Sequence, residues 1–508
     1  MRITRRRVLK AAAGLCGIGI LPRAGKGLIS EAGPFTSDWA SLHQYRCPEW
    51  FRDAKLGIWA VWGPESVPER GDWYARNMYI EGHEQYQDHL QRYGHPSKFG
   101  YKDIIPLWKA ERWDPERLMG LYQKAGAKYF CVIAEHHDNF DCWNSKYQRW
   151  NSVNIGPKKD IVGAWASAAR SRGLRFGVTE HLSATWNWWV VNKGADKQGP
   201  YAGVPYDGND PQYEDLYLPP HEDSKEWYSS QAPEWWQRRW FNRIQDLVDS
   251  YQPDLLYSDG GFPFHEVGRS LVAHFYNTNM QNHGGRLEAV YNCKRMPGYF
   301  EDGTCVEDLE RGVMEGMHPI PWQTDTCIGD WYYKQGIEYK STTTVITMLA
   351  DIVSKNGNLL LNIPPRPDGS LDDQEVAILS QIAAWMEING EAIFGTRPWK
   401  VFGEGPTRAK AGKFGEENHS HYTAEDIRFT AKGTTLYALA LGWPENGRLA
   451  VKSLGSDAGL LPQDPAEASL LGQAGPLNFR REARALVVDL PQNKPCDHAW
   501  ALKIVLRA

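Results

Sequence analysis

The sequence predicts a (β/α)8 TIM-like barrel followed by a small C-terminal β-sandwich, and three observations predict it. From about residue 45 to 400, short apolar runs alternate with amphipathic stretches, the pattern of strands that cross over through helices into a parallel sheet. Some 350 residues of that pattern, roughly counted, suit a barrel with long loops, and no glycine-rich phosphate turn follows the first strand as it would in an open dinucleotide-binding sheet. After Trp399 the texture changes to short alternating strands separated by turn signals. The division expected is an export leader over 1–30, a catalytic barrel over 31–399 and the sandwich over 400–508.

In order, the barrel strands are expected at Lys55–Trp62, Lys128–Glu135, Arg175–Glu180, Asp254–Ser258, Leu287–Asn292 and Asn358–Ile363, each a short apolar run of strand length. Pro115–Gly126 and Ile161–Gly173 have helical spacing, with Gly126 and Gly173 where a left-handed residue ends a helix. Asp372–Asn389 is the clearest helix: Ile378, Leu379, Ile382, Trp385 and Met386 form one stripe, and Gly390 follows. The stretch His181–Tyr228, rich in Pro, Gly, Trp and Tyr, has no period and reads as a long functional loop over one end of the barrel. Sandwich strands are expected at Ile427–Ala431, Thr435–Leu441 and Leu449–Ser453.

Composition narrows the partner. With 42% hydrophobic and 23% charged residues the chain of 508 is ordinary for a globular protein, and a net charge of −5 offers no basic field for nucleic acid. The 23 Trp and 24 Tyr exceed what a core alone uses, and flat rings with a polar handle suit the faces of sugars. One of eight cysteines, Cys16, lies in the leader; the others form no CxxC pair, which argues against a zinc site or a disulfide framework, and Cys131 is expected buried. The N-terminus runs Arg5-Arg6-Arg7-Val8-Leu9-Lys10 and then an apolar, small-residue stretch from Ala11 to Leu21, too short for a stable bilayer anchor. It resembles a twin-arginine export signal, which implies a periplasmic or secreted bacterial protein, with an uncleaved anchor as the alternative.

Catalytic side chains of a barrel project from the C-terminal ends of its strands. Four expected strands end in chemistry: Glu135-His136-His137-Asp138, Glu180-His181, Asp259-Gly260-Gly261 and Asn292. A lone acid at such a place is as often a helix N-cap as a catalyst. Asp259 stands out, because two glycines clear the space beside it, and an ionised, accessible Asp can attack an anomeric carbon if a second carboxyl group faces it. The paired histidines are read as sugar ligands and not as a metal site, since neighbouring strand residues point to opposite faces and no HExxH spacing or third ligand is evident.

Several ordered blocks make the reading specific. Trp50-Phe51-Arg52-Asp53-Ala54-Lys55-Leu56-Gly57, Trp73-Tyr74-Ala75-Arg76-Asn77-Met78-Tyr79, the run from Ala134 to Phe140, Gly156-Pro157-Lys158-Lys159-Asp160-Ile161-Val162-Gly163, Ser354-Lys355-Asn356-Gly357-Asn358-Leu359-Leu360-Leu361-Asn362 and Asn389-Gly390-Glu391-Ala392-Ile393-Phe394-Gly395 resemble the α-L-fucosidases of glycoside hydrolase family 29. The resemblance implies a retaining exo-glycosidase that removes terminal α-L-fucose from glycans or polysaccharides and needs no metal or organic cofactor. The family nucleophile falls on Asp259. Asp308-Leu309-Glu310-Arg311-Gly312 resembles the segment carrying the acid/base, which assigns Glu310, with Glu307 and Glu301 as alternatives and pairing of Glu310 with Arg311 as the non-catalytic reading. His136, His137, Asp72 and Trp73 carry over as sugar contacts, and Tyr257 and Trp331 as ring walls or barrel packing.

Departures from the family pattern concern the sugar. Its first strand commonly ends His-Trp-Gly, whereas this chain has Val61-Trp62-Gly63, and the Arg expected beyond Asn292 has become Lys294 or shifted to Arg295. His181 is the candidate compensating donor. These changes leave open a pocket for another α-L-sugar such as L-galactose, or a carbohydrate-binding homologue with weak turnover.

Overall fold

A computed structural model describes residues 33–222, 231–417 and 421–507; the expected leader lies outside the described residues. Eight parallel strands, β1 (Leu56–Ala60), β2 (Tyr129–Glu135), β3 (Arg175–Glu180), β4 (Leu255–Ser258), β5 (Val290–Lys294), β6 (Val306–Asp308), β7 (Trp322–Cys327) and β8 (Gly357–Asn362), form a closed barrel in sequence order. β8 closes it by pairing with β1 through Leu56↔Leu359 and Gly57↔Leu360. The six strands expected from apolar runs are all present. β6 and β7 were not expected, for two reasons. β6 is three residues long, and β7 reads Trp-Gln-Thr-Asp-Thr-Cys, wholly buried yet mostly polar, so it shows neither an apolar run nor alternation.

Large rings fill the space left by small residues on both faces of the barrel wall. Inside, a Cβ on Gly57 would lie 2.3 Å from the Tyr129 ring; on the helix-facing side, one on Gly357 would lie 2.6 Å from that of Trp322 and 2.8 Å from Ile352. Outside, the helices Pro115–Lys124, Ile161–Ser171, Glu234–Tyr251, Glu266–Asn282, Thr342–Ser354 and Asp373–Asn389 return the chain between strands. Asp114, Asp160, Ser341 and Asp372 cap four of them by accepting from first-turn N–H groups. Gly126 and Gly173 take the expected left-handed turn, with φ 97° and 73°. Gly390 instead stays right-handed at φ −58° and leads into a 3-10 turn, Gly390–Ala392. The crossings from β5 to β6 and from β6 to β7 contain no helix, so the second can place Glu310 on a loop at the barrel mouth.

The stretch after β3 is more ordered than its lack of period suggested. Its described part is a succession of short helical turns, among them Leu182–Ala184, Thr185–Trp188, Trp189–Lys193 and Glu214–Tyr217. The rings of Trp188 and Trp189 are fully buried, and Tyr79 and Tyr217 both donate to Asp207, at 2.7 and 2.8 Å. Irregular backbone held by aromatic burial has no sequence period to detect.

β9 (Arg397–Glu404), β10 (Ile427–Lys432), β11 (Thr435–Ala440), β12 (Arg448–Val451), β13 (Glu467–Leu470), β14 (Phe479–Arg481), β15 (Leu486–Asp489) and β16 (Trp500–Val505) build the C-terminal part. An antiparallel sheet in the order β13-β16-β11-β10-β9 faces a second, β12-β15-β14, across one apolar core that includes Phe429, Leu436, Val451 and Val488. Buried Asp351 ties this part to the barrel by pairing with Arg428 at 2.5 Å and with Lys355 at 2.8 Å. Between β9 and β10 the chain leaves the sandwich and reaches back to the barrel mouth. Among the described residues no helix is long and apolar enough to cross a membrane.

Candidate active site

The C-terminal ends of the strands surround a cavity of about 280 Å³ lined by Trp59, Val61, Asp72, Trp73, His136, His137, His181, Tyr257, Asp259, Lys294, Glu310, Asp325, Trp331 and Phe414. A sugar ring is the size of ligand that fits. All the predicted site residues line it. A separate cavity of similar volume lies between the helix Thr342–Ser354 and the segment around Tyr422, away from the strand-end carboxylates.

β4 carries Asp259 to the floor, where its N–H donates to the Glu180 carbonyl at 3.0 Å. Its Oδ1 meets the Lys294 ammonium, while Oδ2 faces His137 Nε2 at 3.4 Å and His181 Nδ1 at 3.6 Å. Burial by itself would raise the carboxyl group's pKa, but the Lys294 charge and the contact with His137 outweigh it and hold Asp259 well below the usual carboxylate range. Asp259 is therefore ionised at neutral pH. Lys294 Nζ also contacts Glu310 Oε2 at 2.5 Å, so one ammonium touches both side-chain carboxyl groups.

The other acid candidates lie elsewhere. Glu307 pairs with Arg295 at 2.7 Å and Glu301 with His43 at 2.9 Å, and neither lines the cavity. Arg311 is paired with Glu416 at 2.6 Å, leaving Glu310 to Lys294. The position after Asn292 is likewise resolved: Lys294 enters the site, whereas Arg295 points away to Glu307 and Asp302. Asn292 stays in the wall, donating to the Val306 carbonyl at 3.3 Å.

One expectation about the histidines fails. His136 and His137 both line the cavity, because they follow the last residue of β2 and strand alternation no longer governs them. With His181 they bring three ligand atoms within 4.8 Å of one another, the third imidazole that the spacing did not reveal. His136 Nδ1 is engaged by Glu65 at 2.7 Å and His137 Nδ1 by the His181 carbonyl at 2.6 Å. Burial pushes His136 down to about 4 and His181 well below its ordinary value, so these rings are neutral hydrogen-bonding groups at neutral pH. Both ring nitrogens of His181 are buried with no hydrogen-bond partner among the described residues.

Rings make the remaining wall. Trp59 lies 5.4 Å from Trp331 and 5.8 Å from Tyr257, centroid to centroid, and Trp73 packs edge-on to Trp188 at 4.9 Å. Trp73 has φ 63°, a left-handed conformation costly for so bulky a residue and typical of a functional constraint. Asn362 holds Trp331 in place, donating to its carbonyl at 2.7 Å. Tyr257 hydroxyl lies 3.3 Å from Asp325 Oδ2 and 3.5 Å from Asp259 Oδ1; burial and the charge of Asp308 keep Asp325 well above the usual carboxylate range. Trp59, Asp325 and Phe414 were not singled out from sequence. Asp325 was concealed by the unrecognised strand β7, and Phe414 lies in a segment with no periodic signal.

Two carboxyl groups on one cation, beside neutral imidazoles and a wall of rings, form a site suited to glycoside chemistry. The sequence model of the family described as Alpha-L-fucosidase matches residues 26–391, and that of the Alpha-L-fucosidase C-terminal domain matches residues 420–505. The chain belongs to the α-L-fucosidase family. It is thus placed among the glycoside hydrolases. Relatives include the tissue alpha-L-fucosidase of Homo sapiens, 28% identical over 92% of this chain and 91% of that one, and the human plasma alpha-L-fucosidase, 29% identical over 93% of each. Among solved structures, the Thermotoga maritima alpha-fucosidase in complex with fucose aligns with a TM-score of 0.70 and 26% identity, over 93% of this chain and 100% of that one. A second crystal structure of that enzyme, with a mechanism-based inhibitor, aligns with a TM-score of 0.72. The α-L-fucosidase match thus spans both the barrel and the sandwich.

Proposed function

We propose that the chain is an exo-acting α-L-fucosidase that cleaves with retention, Asp259 serving as nucleophile and Glu310 as acid/base. The observation that carries this reading is the shared contact with Lys294. Two oxygens that touch one nitrogen are separated by no more than two short hydrogen bonds, about 5 Å. Retaining glycosidases hold their carboxyl groups ~5–5.5 Å apart, while inverting enzymes need ~6.5–9.5 Å to admit a water.

Asp259 attacks the anomeric carbon as the bond to the leaving oxygen breaks, and that oxygen takes the proton of Glu310. Glu310, now a carboxylate, removes a proton from water; the water oxygen attacks the same carbon and the ester to Asp259 breaks. His136, His137, His181 and Asp72 face the sugar hydroxyls in this reading, and His181 Nε2 supplies the contact that Val61 cannot. Trp59, Tyr257 and Trp331 form an apolar wall for the C6 methyl group. An L-galactose unit would place a hydroxyl against that wall, and apolar pockets discriminate against an added hydroxyl only by about 10²-fold. The export signal, a periplasmic or secreted location and a fucosylated glycan as natural partner belong to this same reading, with the domain boundary just before β9 at Arg397 and not at 399/400.

The experiment is hydrolysis of an aryl α-L-fucoside beside the matching aryl α-L-galactoside, with EDTA present. A fucoside preference of tenfold or more, about 10–100-fold by the argument above, supports the reading. Absence of turnover on the fucoside, or a preference for the galactoside, overturns it.

Lys294 gives a pH prediction. Lys294→Met removes the charge that lowers Asp259, so the carboxyl group's pKa rises and the acidic limb of kcat/KM moves to higher pH; Lys294→Arg keeps the limb near its original place. A lowered folded-state pKa also contributes stability above the unfolded carboxylate value of about 3.9, lost as pH falls through the folded value. The pH–rate profiles of the two variants check the sign, and an unmoved limb in Lys294→Met would refute it.

A further inference from the structure

The segment between β9 and β10 reaches from the C-terminal sandwich to the loop that carries Glu310, and it ends in an aromatic ring at the cavity mouth. Phe414 donates its N–H to the Glu310 carbonyl at 3.0 Å, Gly412 to Val313 at 3.0 Å and Glu416 to Arg311 at 3.2 Å. The two backbones are in such close contact that a Cβ on Gly312 would lie 2.1 Å from the Gly412 carbonyl oxygen. Glu416 locks the junction, pairing with Arg311 at 2.6 Å and Lys340 at 3.2 Å and accepting from Thr326 at 2.7 Å.

Phe414 is not a packing residue. The residue is 47% exposed, it belongs to neither hydrophobic core, and among the described residues it has no ring partner. Its φ of 55° is left-handed, as is that of Arg311 at 46°, so two strained residues meet where the segments join. Strain of this kind persists only when the surroundings enforce it, and it concentrates at binding sites. An exposed, strained apolar ring at the open end of a sugar-sized cavity calls for a ligand.

The depth of the cavity identifies which part of the ligand. Asp259, Tyr257, His136, His137 and His181 are buried at its closed end, whereas Asp72, Trp73, Glu310 and Trp331 are part exposed and Phe414 is the most open of the lining residues. A terminal sugar bound with its anomeric carbon at Asp259 must direct its leaving group outward past Glu310, because Glu310 has to reach the oxygen being released. Phe414 is bonded to Glu310 by its own backbone and stands on that outward path.

We propose that Phe414 forms the floor of a leaving-group subsite that takes a pyranose, whose C–H face stacks on the ring. The barrel thus cuts the bond while a residue of the chain's C-terminal half reads what is released, which makes Phe414 a determinant of linkage preference. This inference rests on the α-L-fucosidase reading above.

The test compares α-L-fucosyl fluoride, whose leaving group has no ring, with the fastest-cleaved member of a panel of 1→2, 1→3, 1→4 and 1→6 fucosyl disaccharides. Phe414→Ala and Phe414→Leu are expected to lower kcat/KM for the disaccharide about five- to tenfold more than for the fluoride, the range of a ring-stacking contact. Phe414→Trp is expected to restore the disaccharide. Equal losses on both substrates would show that Phe414 only supports the Glu310 loop, and no loss, or an unmodified protein that cleaves the fluoride but no disaccharide, would also overturn the inference. If the unmodified protein leaves the fluoride intact, the α-L-fucosidase reading itself falls, and this inference with it.

Discussion

Asp259→Ala is expected to lower kcat/KM for an aryl α-L-fucoside by on the order of 10⁴–10⁶-fold, the loss seen when a nucleophile that works as part of a unit is removed. The size follows from the setting. Asp259 is buried and held by Lys294, whose charge keeps its carboxyl group well below the usual carboxylate range at the closed end of the cavity. Glu310 shares that cation but lies nearer the mouth, and burial holds Asp325 well above the usual carboxylate range. The alanine variant leaves a space at the floor, and azide is expected to enter it and attack from the face Asp259 had occupied. The product would be the β-fucosyl azide, inverted relative to the substrate, detectable by mass spectrometry and NMR. A loss below about 10²-fold, less than a single positioned acid/base usually contributes, would remove Asp259 from the role of nucleophile.

The second large effect concerns Glu310. Glu310→Gln should reduce kcat/KM about 10²–10⁴-fold on substrates with a poor leaving group, since the departing oxygen then lacks its proton donor. A dinitrophenyl fucoside needs no such help, so its first step should continue while the second, deprived of its base, slows. The expected record is a burst of dinitrophenol followed by a slow steady state that azide accelerates. Equal losses across leaving groups, without a burst, would give Glu310 a binding role only. Glu307→Gln and Glu301→Gln are the controls, because their partners are Arg295 and His43 and neither lines the cavity.

How far these roles could be read in advance differed by residue. Asp259, His136, His137 and His181 were legible because a strand that ends in an apolar run also marks where the next side chain projects, and a barrel sends all such ends to one face. Glu310 follows no strand-end apolar run; only its resemblance to a family segment singled it out. Lys294 stood in plain view as a departure from that family, but nothing in its neighbours showed that one ammonium would meet two carboxylates. The pairing joins residues 35 and 16 positions apart along the chain. Phe414 lies further still, in a segment where neither period nor composition singled it out.

By itself, the sequence determined the alternation of strands and helices, hence the barrel, and the chemistry stored at most strand ends. These are local properties: an apolar run, a capping side chain or a glycine acts on its own neighbourhood, so its signal survives in one dimension. Tertiary structure alone decided that His136, His137 and His181 converge, that β7 turns Gln323 and Asp325 into the barrel, that Lys294 bridges the two acids and that a ring from beyond the barrel stands at its mouth. Those outcomes depend on distances between groups remote in sequence, set by barrel closure and by the return of the chain from the sandwich, and no local pattern encodes a distance across a fold.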